Sequence, residues 1–402
     1  MATANEKFTE SMIKRRSYIQ LLVRKIQIDM LAGLDSTHRE IKGMLHDEIP
    51  KLSTGLNTKT ASGRFASIGK QYKFIRKPVY EKAELEYTKA MAKFAEDEAK
   101  FVESALQRSI PFDVALAQAS EVGIKNLTAF AGYDGKTISQ WFTNVSVPDY
   151  SRIEGTVRTA ISQGLNIDQT INQVIGTKYA RTGKYTGAVQ TSRTATEALV
   201  RTVTNGVANG ANQEFAKANS DIISHEVYTA VLDGRTSQIC ASLDGKVFKV
   251  GEGAMPPLHP NCRSMRIAVI DGAETVGTRP TVGGKNFREQ GKKDYVNRRK
   301  AKGDTEKEAQ GKWNNLSNSS KNGYVNRARR EFGEDVIGTA PANTTYNQFL
   351  KKQSVEFQND VLGVTNAKKY RAGEMTLDKF TDKLGKPLNL TELRAKYPEV
   401  YD

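Results

Sequence analysis

The chain has 402 residues, a net charge of +15, 38% hydrophobic and 26% charged residues, and only two cysteines. That length is too great for one core of usual size and predicts two or three domains. Two cysteines exclude a disulfide framework, and no apolar run approaches the ~18 residues of a membrane-spanning helix.

The opening residues, MATANEKFTE, lack the apolar region of a signal peptide, which predicts synthesis and assembly in a reducing cytoplasm. The positive excess predicts a polyanionic neighbour, most simply nucleic acid, and says nothing about sequence specificity. Residues 10–46 carry Ile19, Leu22, Val23, Ile26 and Met30 at helical spacing, with Lys14, Arg15, Arg16, Arg24 and Lys25 between or before them. This reads as an amphipathic packing helix rather than a membrane-surface helix. Residues 50–70 are rich in Gly, Ser and Thr and read as a loop or linker. A second long helix is expected after Pro78, with Tyr80, Tyr87, Phe94 and Phe101 seven apart on one drifting stripe. Such a stripe is expected to pack, and a docking role for the first ~110 residues follows if the rest of the chain cannot cover it.

Residues 150–219 continue the helical pattern. Two short amphipathic pieces break at Gly164, with Asn166 and Asp168 where the second begins. One longer helix then carries Ala195, Leu199, Val203 and Val207 at intervals of four. After Asp221 the texture changes. SHEVYTAVL, Lys246–Val250 and MRIAVI read as strands, with two Asp-Gly turn signals between them. Residues 285–330 hold fourteen Lys and Arg against five Asp and Glu, with little apolar periodicity, and read as basic and extended. Tyr295–Arg298 and Tyr324–Arg327 both spell YVNR, a match too short for a structural repeat. The helical pattern returns from Tyr346. The expected fold is α+β, mostly α: long N-terminal helices over 1–150, a small β-containing domain near 222–271 within 151–275, a basic linker over 276–340, and a helical region over 341–402.

The stretch MPPLHPNCRS, Met255–Ser264, holds one of four histidines, one of two cysteines and three of eleven prolines. With Asp233, Arg235 and Cys240 it gathers the chain's scarcest chemistry. His259 and Cys262 stand three apart, and Cys240 adds a third soft ligand. A closed zinc site wants four, and Ser237 stands where a knuckle partner of Cys240 would be. A nucleophilic cysteine needs a stabilised thiolate and an aimed base, and no oxyanion hole is evident. A structural reading is favoured: the prolines fix the backbone, Asn261 and Cys262 pack beneath the turn, and Asp233, Arg235, His259 and Arg263 form one buried polar network. Zinc and cysteine chemistry stay as alternatives.

The run from Val231 to Arg263 resembles the phage Mu F-like minor head proteins. The likeness is carried by Asp233, Arg235 and Thr236; by Leu243–Phe248 with Asp244 and Gly245 at its turn; and by the ending Pro-Pro-Leu-His-Pro-Asn-Cys-Arg, with His259, Pro260, Asn261, Cys262 and Arg263. Upstream, Arg193-Thr194 with Asn205 and Asn209 match the family's helix. The C-terminal run from Tyr346 looks like the tail that often follows this domain. Ser237 and Ser264 stand where many relatives have cysteines, so a four-cysteine zinc site cannot form. The resemblance implies a minor, non-enzymatic component of a tailed-phage head. It would act in assembly near the portal vertex and lie inside the capsid, with the portal, other head proteins and packaged double-stranded DNA as partners and no membrane. Arg298, Arg299, Lys300, Arg327, Arg329 and Arg330 are the candidate DNA contacts. No cofactor is expected, with zinc on Cys240, His259 and Cys262 as the exception left open. The alternative function is a zinc-dependent nucleic-acid-processing enzyme using Asp233, Cys240, His259 and Cys262.

Overall fold

The computed structural model describes all residues except 1–2, 53–57, 112–113, 130–133, 181, 271–277, 283–286, 318–319, 322, 326–336, 342, 383–386 and 402. Seven helices come first: α1 (Ala4–Ser36), α2 (His38–Leu52), α3 (Thr58–Ser109), α4 (Glu121–Ala129), α5 (Ile138–Ser162), α6 (Ile167–Val174) and α7 (Val189–Ala218). Their main core joins Ile19 and Val23 of α1, Tyr80, Tyr87 and Phe94 of α3, Trp141 and Phe142 of α5, and Leu199, Val203 and Val207 of α7. The aromatic stripe is therefore covered within the chain, by α5 and α7. Phe101 packs into a neighbouring core with Phe8, Met12, Phe215 and Ile267. No described helix is long and apolar enough to cross a membrane.

Three boundaries differ from expectation. The helix expected over 10–46 breaks at Thr37, whose hydroxyl donates to Leu34 O at 2.8 Å and ends α1. The Gly-, Ser- and Thr-rich stretch is helical from Thr58, because Phe65, Ile68 and Tyr72 form a buried face against α2 and α5. Pro78 lies inside α3 rather than before it. It removes the hydrogen bond to the carbonyl of Phe74, and both residues are exposed, so water can take that acceptor. Gly164, at φ 72°, leaves α5 in the left-handed region, and Asn166 caps α6 by accepting from Gln169 N at 2.9 Å. Helix α5 runs unbroken across residues 150 and 151.

The strands form two small sheets. β1 (His225–Thr229) lies between β3 (Val247–Lys249) and β4 (Met265–Val269), antiparallel to both, with Val227 opposite Val247 and Ile267. SHEVYTAVL is thus two strands, because β2 (Leu232–Asp233) leaves for a second sheet. There it pairs parallel with β5 (Thr278–Val282), which is antiparallel to β6 (Ile337–Pro341). Between them, the stretch read as extended forms α9 (Phe287–Lys300) and α10 (Glu306–Asn315). They close on Tyr295, Val296, Ala309 and Trp313, with the Tyr295 and Tyr324 rings 5.2 Å apart edge to face. The tyrosines that open the two YVNR copies therefore meet, and that cluster supplies the burial that periodicity did not reveal. The chain ends in α11 (Tyr346–Lys351), α12 (Val355–Leu362), α13 (Val364–Arg371), α14 (Leu390–Lys396) and α15 (Pro398–Tyr401). Their core includes Leu232 of β2 and Ala241 of α8 (Gln238–Leu243).

Candidate functional site

The motif closes the corner where β1, β2, α8 and the proline-rich loop meet. Asp233 is buried and receives both arms of Arg263, Nη1 to Oδ2 and Nη2 to Oδ1, each at 2.7 Å. Arg235 N at 3.0 Å and Thr236 Oγ1 at 3.1 Å also donate to Oδ1. Burial alone would raise the Asp233 carboxyl, but the Arg263 charge and hydrogen bonds, with Arg235 behind them, outweigh it and hold it below the usual aspartate value. The Arg235 side chain is 62% exposed and reaches Asp233 only at 3.4 Å, so it contributes through its backbone N–H more than through its guanidinium.

His259 belongs to a separate cluster. Its Nε2 lies 2.7 Å from Ser237 Oγ and 3.3 Å from Cys240 Sγ, and Cys240 Sγ lies 3.7 Å from Cys262 Sγ. The one buried network expected from the sequence is thus two: Asp233 with Arg263, and His259 with Ser237, Cys240 and Cys262. The ligand set of the alternative enzyme divides in the same way, because the grouped ligand atoms are those of Cys240, His259 and Cys262, without Asp233. Both thiols are free and buried. Their shared hydrogen bond pushes Cys240 up and Cys262 down; burial adds to the first shift and His259 to the second. Burial would lower His259, but its contacts with Cys262 and the Pro260 carbonyl leave it raised. Cys262 is 0% exposed beneath the loop, a poor position for a nucleophile.

The turn residues have defined tasks. Asn261, at φ 63°, bends the loop so that Cys262 N reaches His259 O at 3.1 Å, and Asn tolerates this region better than most residues. Its N–H donates to Thr202 Oγ1 at 2.9 Å, and its side-chain carbonyl accepts from Arg201 at 3.0 Å. Pro260 is exposed, and its carbonyl lies 2.8 Å from His259 Nδ1. Asp244 accepts from Ala230 N at 2.6 Å and from Tyr346 N. Gly245 sits at φ 81°, where an added Cβ would meet Thr345 Cγ2 at 2.7 Å.

Asn205 and Asn209 both donate to Ser264 O at 3.2 Å, and Asn209 Oδ1 accepts from Arg266 N at 3.1 Å, so α7 holds the start of β4. Arg193 pairs with Asp35 of α1. Several contributors went unread in the sequence. Arg16 of α1 also donates to Ser264 O, and Tyr346 of α11 donates to Asp233 O at 3.0 Å. Neither carries a local signal, because each acts on a partner more than a hundred residues away. Ser237 stood out only as a missing cysteine, yet it caps α8 and touches His259.

Among the candidate DNA contacts, Arg298, Arg299 and Lys300 form the last turn of α9 and pair with Asp294, Asp304 and Glu306. Arg327, Arg329 and Arg330 lie outside the described residues. A groove of about 1000 Å³ borders the motif on the α1 side. Among the residues lining it, eight are Lys or Arg, including Arg24, Lys184, Arg235 and Arg263, against the two acids Asp35 and Glu197.

Residues 151–267 match the family described as phage Mu protein F like protein. No curated protein and no solved structure matches the chain. The matched segment runs from within α5 to within β4 and contains the Asp233–Arg263 pair, the Cys–His–Cys cluster and the α7 asparagines that hold them. The likeness to the phage Mu F-like family is carried by this segment, which is less than a third of the 402-residue chain.

Proposed function

We propose that the chain is a minor structural protein of a tailed-phage head. It acts at the portal vertex from inside the capsid, after assembly in the host cytoplasm, and contacts packaged double-stranded DNA without sequence preference. The observation that carries this reading is the groove between α1, α7 and the motif loop. Leu21 and Ile28 line it, 68% and 58% exposed, and cations outnumber acids eight to two along it. That mixture fits an acidic, partly apolar segment of a head partner such as a portal subunit. The buried aromatic stripe of α3 offers no docking face, so attachment rests on α1.

The DNA contact rests on residues 285–330, with fourteen basic against five acidic residues. Exposed ion pairs such as Arg298–Asp294 are worth little, and their cations can exchange a carboxylate for a phosphate.

Deleting residues 1–110 would remove half of the main core and is no clean test. Replacing Leu21 and Ile28 together by Glu leaves the core intact. The expected outcome is a folded chain that no longer enters heads or copurifies with the portal; normal incorporation overturns the docking. For DNA, affinity for two unrelated duplexes should be equal and should fall with salt at a log–log slope near −5 if about six phosphates are engaged. Discrimination between the duplexes, or a flat salt response, overturns the contact.

A further inference from the structure

We propose that Cys240, His259 and Cys262 hold a zinc-class divalent cation, which ties α8 to the proline-rich loop. Nothing in the head-protein reading requires this site, and its failure would leave that reading standing.

The spacing of the ligand atoms carries the inference. The two sulfurs lie 3.7 Å apart, Cys240 Sγ lies 3.3 Å from His259 Nε2, and all three atoms fall within 4.8 Å of one another. A tetrahedral zinc ion, with its usual bonds to sulfur and nitrogen, sets sulfurs about 3.8 Å apart and sulfur about 3.5 Å from nitrogen. A disulfide would need about 2.05 Å between the sulfurs. Both separations from Cys240 Sγ therefore match ligands around one ion, the third atom pair lies within 4.8 Å, and the thiols are not bridged.

The orientation of His259 is a second, independent observation. Its Nδ1 faces the Pro260 carbonyl at 2.8 Å. With the proton on Nδ1 donated to that carbonyl, the Nε2 lone pair points at the sulfurs. Metal-binding histidines are commonly held in this way, by a carbonyl that accepts from the other nitrogen. The scaffold around the ligands is also fixed before any ion arrives. Cys240 sits in the first turn of α8, capped by Ser237, while Asn261 is clamped to Thr202 and Arg263 to Asp233 on either side of Cys262. Little ordering is left for binding to impose.

Ser237 Oγ, 2.7 Å from Nε2, borders the same space, so a hydroxyl or a water lies close enough to complete the set. The site thus has two soft anionic ligands, one imidazole and one hard oxygen or water. That set suits zinc, and not calcium or magnesium, which want oxygen ligands throughout. Zinc takes both sulfurs as thiolates and the imidazole as its neutral form, so an ion entering displaces whatever protons these three groups still share.

The test uses the full chain, purified under reducing conditions, exposed to zinc chloride and dialysed, with metal content measured directly; cobalt chloride is the spectroscopic probe. The expected result is one zinc per chain, and a cobalt form with tetrahedral absorption and a sulfur-to-cobalt charge-transfer band. Cys262→Ser should lose stoichiometric metal. Should that variant fail to fold, Ser237→Cys decides: it adds a third thiolate, and the charge-transfer band should grow by one thiolate's share. A folded, reduced chain that takes up no metal overturns the proposal. So does metal that persists unchanged in Cys262→Ser, a cobalt band unaltered by Ser237→Cys, or a Cys240–Cys262 disulfide in metal-free protein from the reducing preparation.

Discussion

The Arg263–Asp233 pair of the motif and the Arg76–Asp149 pair of the helical body do similar work with different visibility. In the motif, both partners lie within one thirty-residue signature, and among the described residues the carboxylate is shared with Arg235 and Thr236 close by. In the body, Asp149 of α5 accepts from Tyr80 of α3 at 2.9 Å, from Tyr72 at 3.1 Å and from Ser192 of α7. Arg76 lies 3.4 Å from Asp149 and turns its other arm to Leu34 O and Thr37, where α1 ends. Three long helices thus meet at one carboxylate, and Arg76 ties the end of a fourth to it, with no motif to announce the junction. Each pair locks a junction, and each is costly to break from one side, because the partner left behind is a buried charge without its counter-ion.

The comparison is broken most severely at Asp149. Both side chains of that pair are 0% exposed, so Asp149→Ala should cost about 3–5 kcal/mol, read as a fall in the urea midpoint. A loss under about 1 kcal/mol would mean that the network is not what holds the helices. Next comes Arg263→Ala. The guanidinium is 15% exposed and its acid 3%, so the loss should be near the lower end of the same range, about 3 kcal/mol. Equal stability of Arg263→Ala and the parent chain would leave the motif pair without a structural role.

The third effect is a pH dependence. The folded-state pKa of Asp233 is depressed, so its contribution is fully present above the ordinary aspartate value of about 3.9 and is lost as pH falls through the lower folded value. Asp233→Asn should flatten that acid limb relative to the parent. An acid limb identical in the two proteins would assign the loss to other carboxylates. The smallest effects lie at the surface. Arg235→Ala should cost under about 1 kcal/mol, since the side chain is 62% exposed and not part of the buried network that the sequence suggests. Arg298→Ala breaks an exposed i, i+4 pair and should cost about 0.3–0.5 kcal/mol. A loss at Arg235 matching that at Arg263 would place both arginines in one network after all.

The contrast also separates what each stretch of sequence could convey. Asp233, Cys240, His259, Cys262 and Arg263 stood out because rare or charged residues cluster among prolines and Asp-Gly turns, and those chemistries act over short chain separations. That His259 leaves Asp233 and joins the thiols was not legible, because it depends on the direction in which α8 enters the corner. The segment 285–330 misled for the opposite reason. Its charges dominate its composition, while the burial that makes it helical comes from Tyr295, Trp313 and Tyr324, spread too far apart to show a period.

By itself, the sequence determined the helical stripes, the Gly164 break with its Asn166 cap, the three short strands of the first sheet and the family signature. All of these follow from side-chain period, local hydrogen bonding and turn chemistry within about thirty residues. Only the tertiary structure decided that Pro78 sits inside a helix, that α5 and α7 cover the aromatic stripe, and that β2 leaves its neighbour for a second sheet. It also decided that Arg16, Asn205, Asn209 and Tyr346 hold the motif from three different helices. These outcomes depend on which distant surfaces exclude water from one another and which buried polar groups find partners there. Those are properties of the assembled chain rather than of any one stretch.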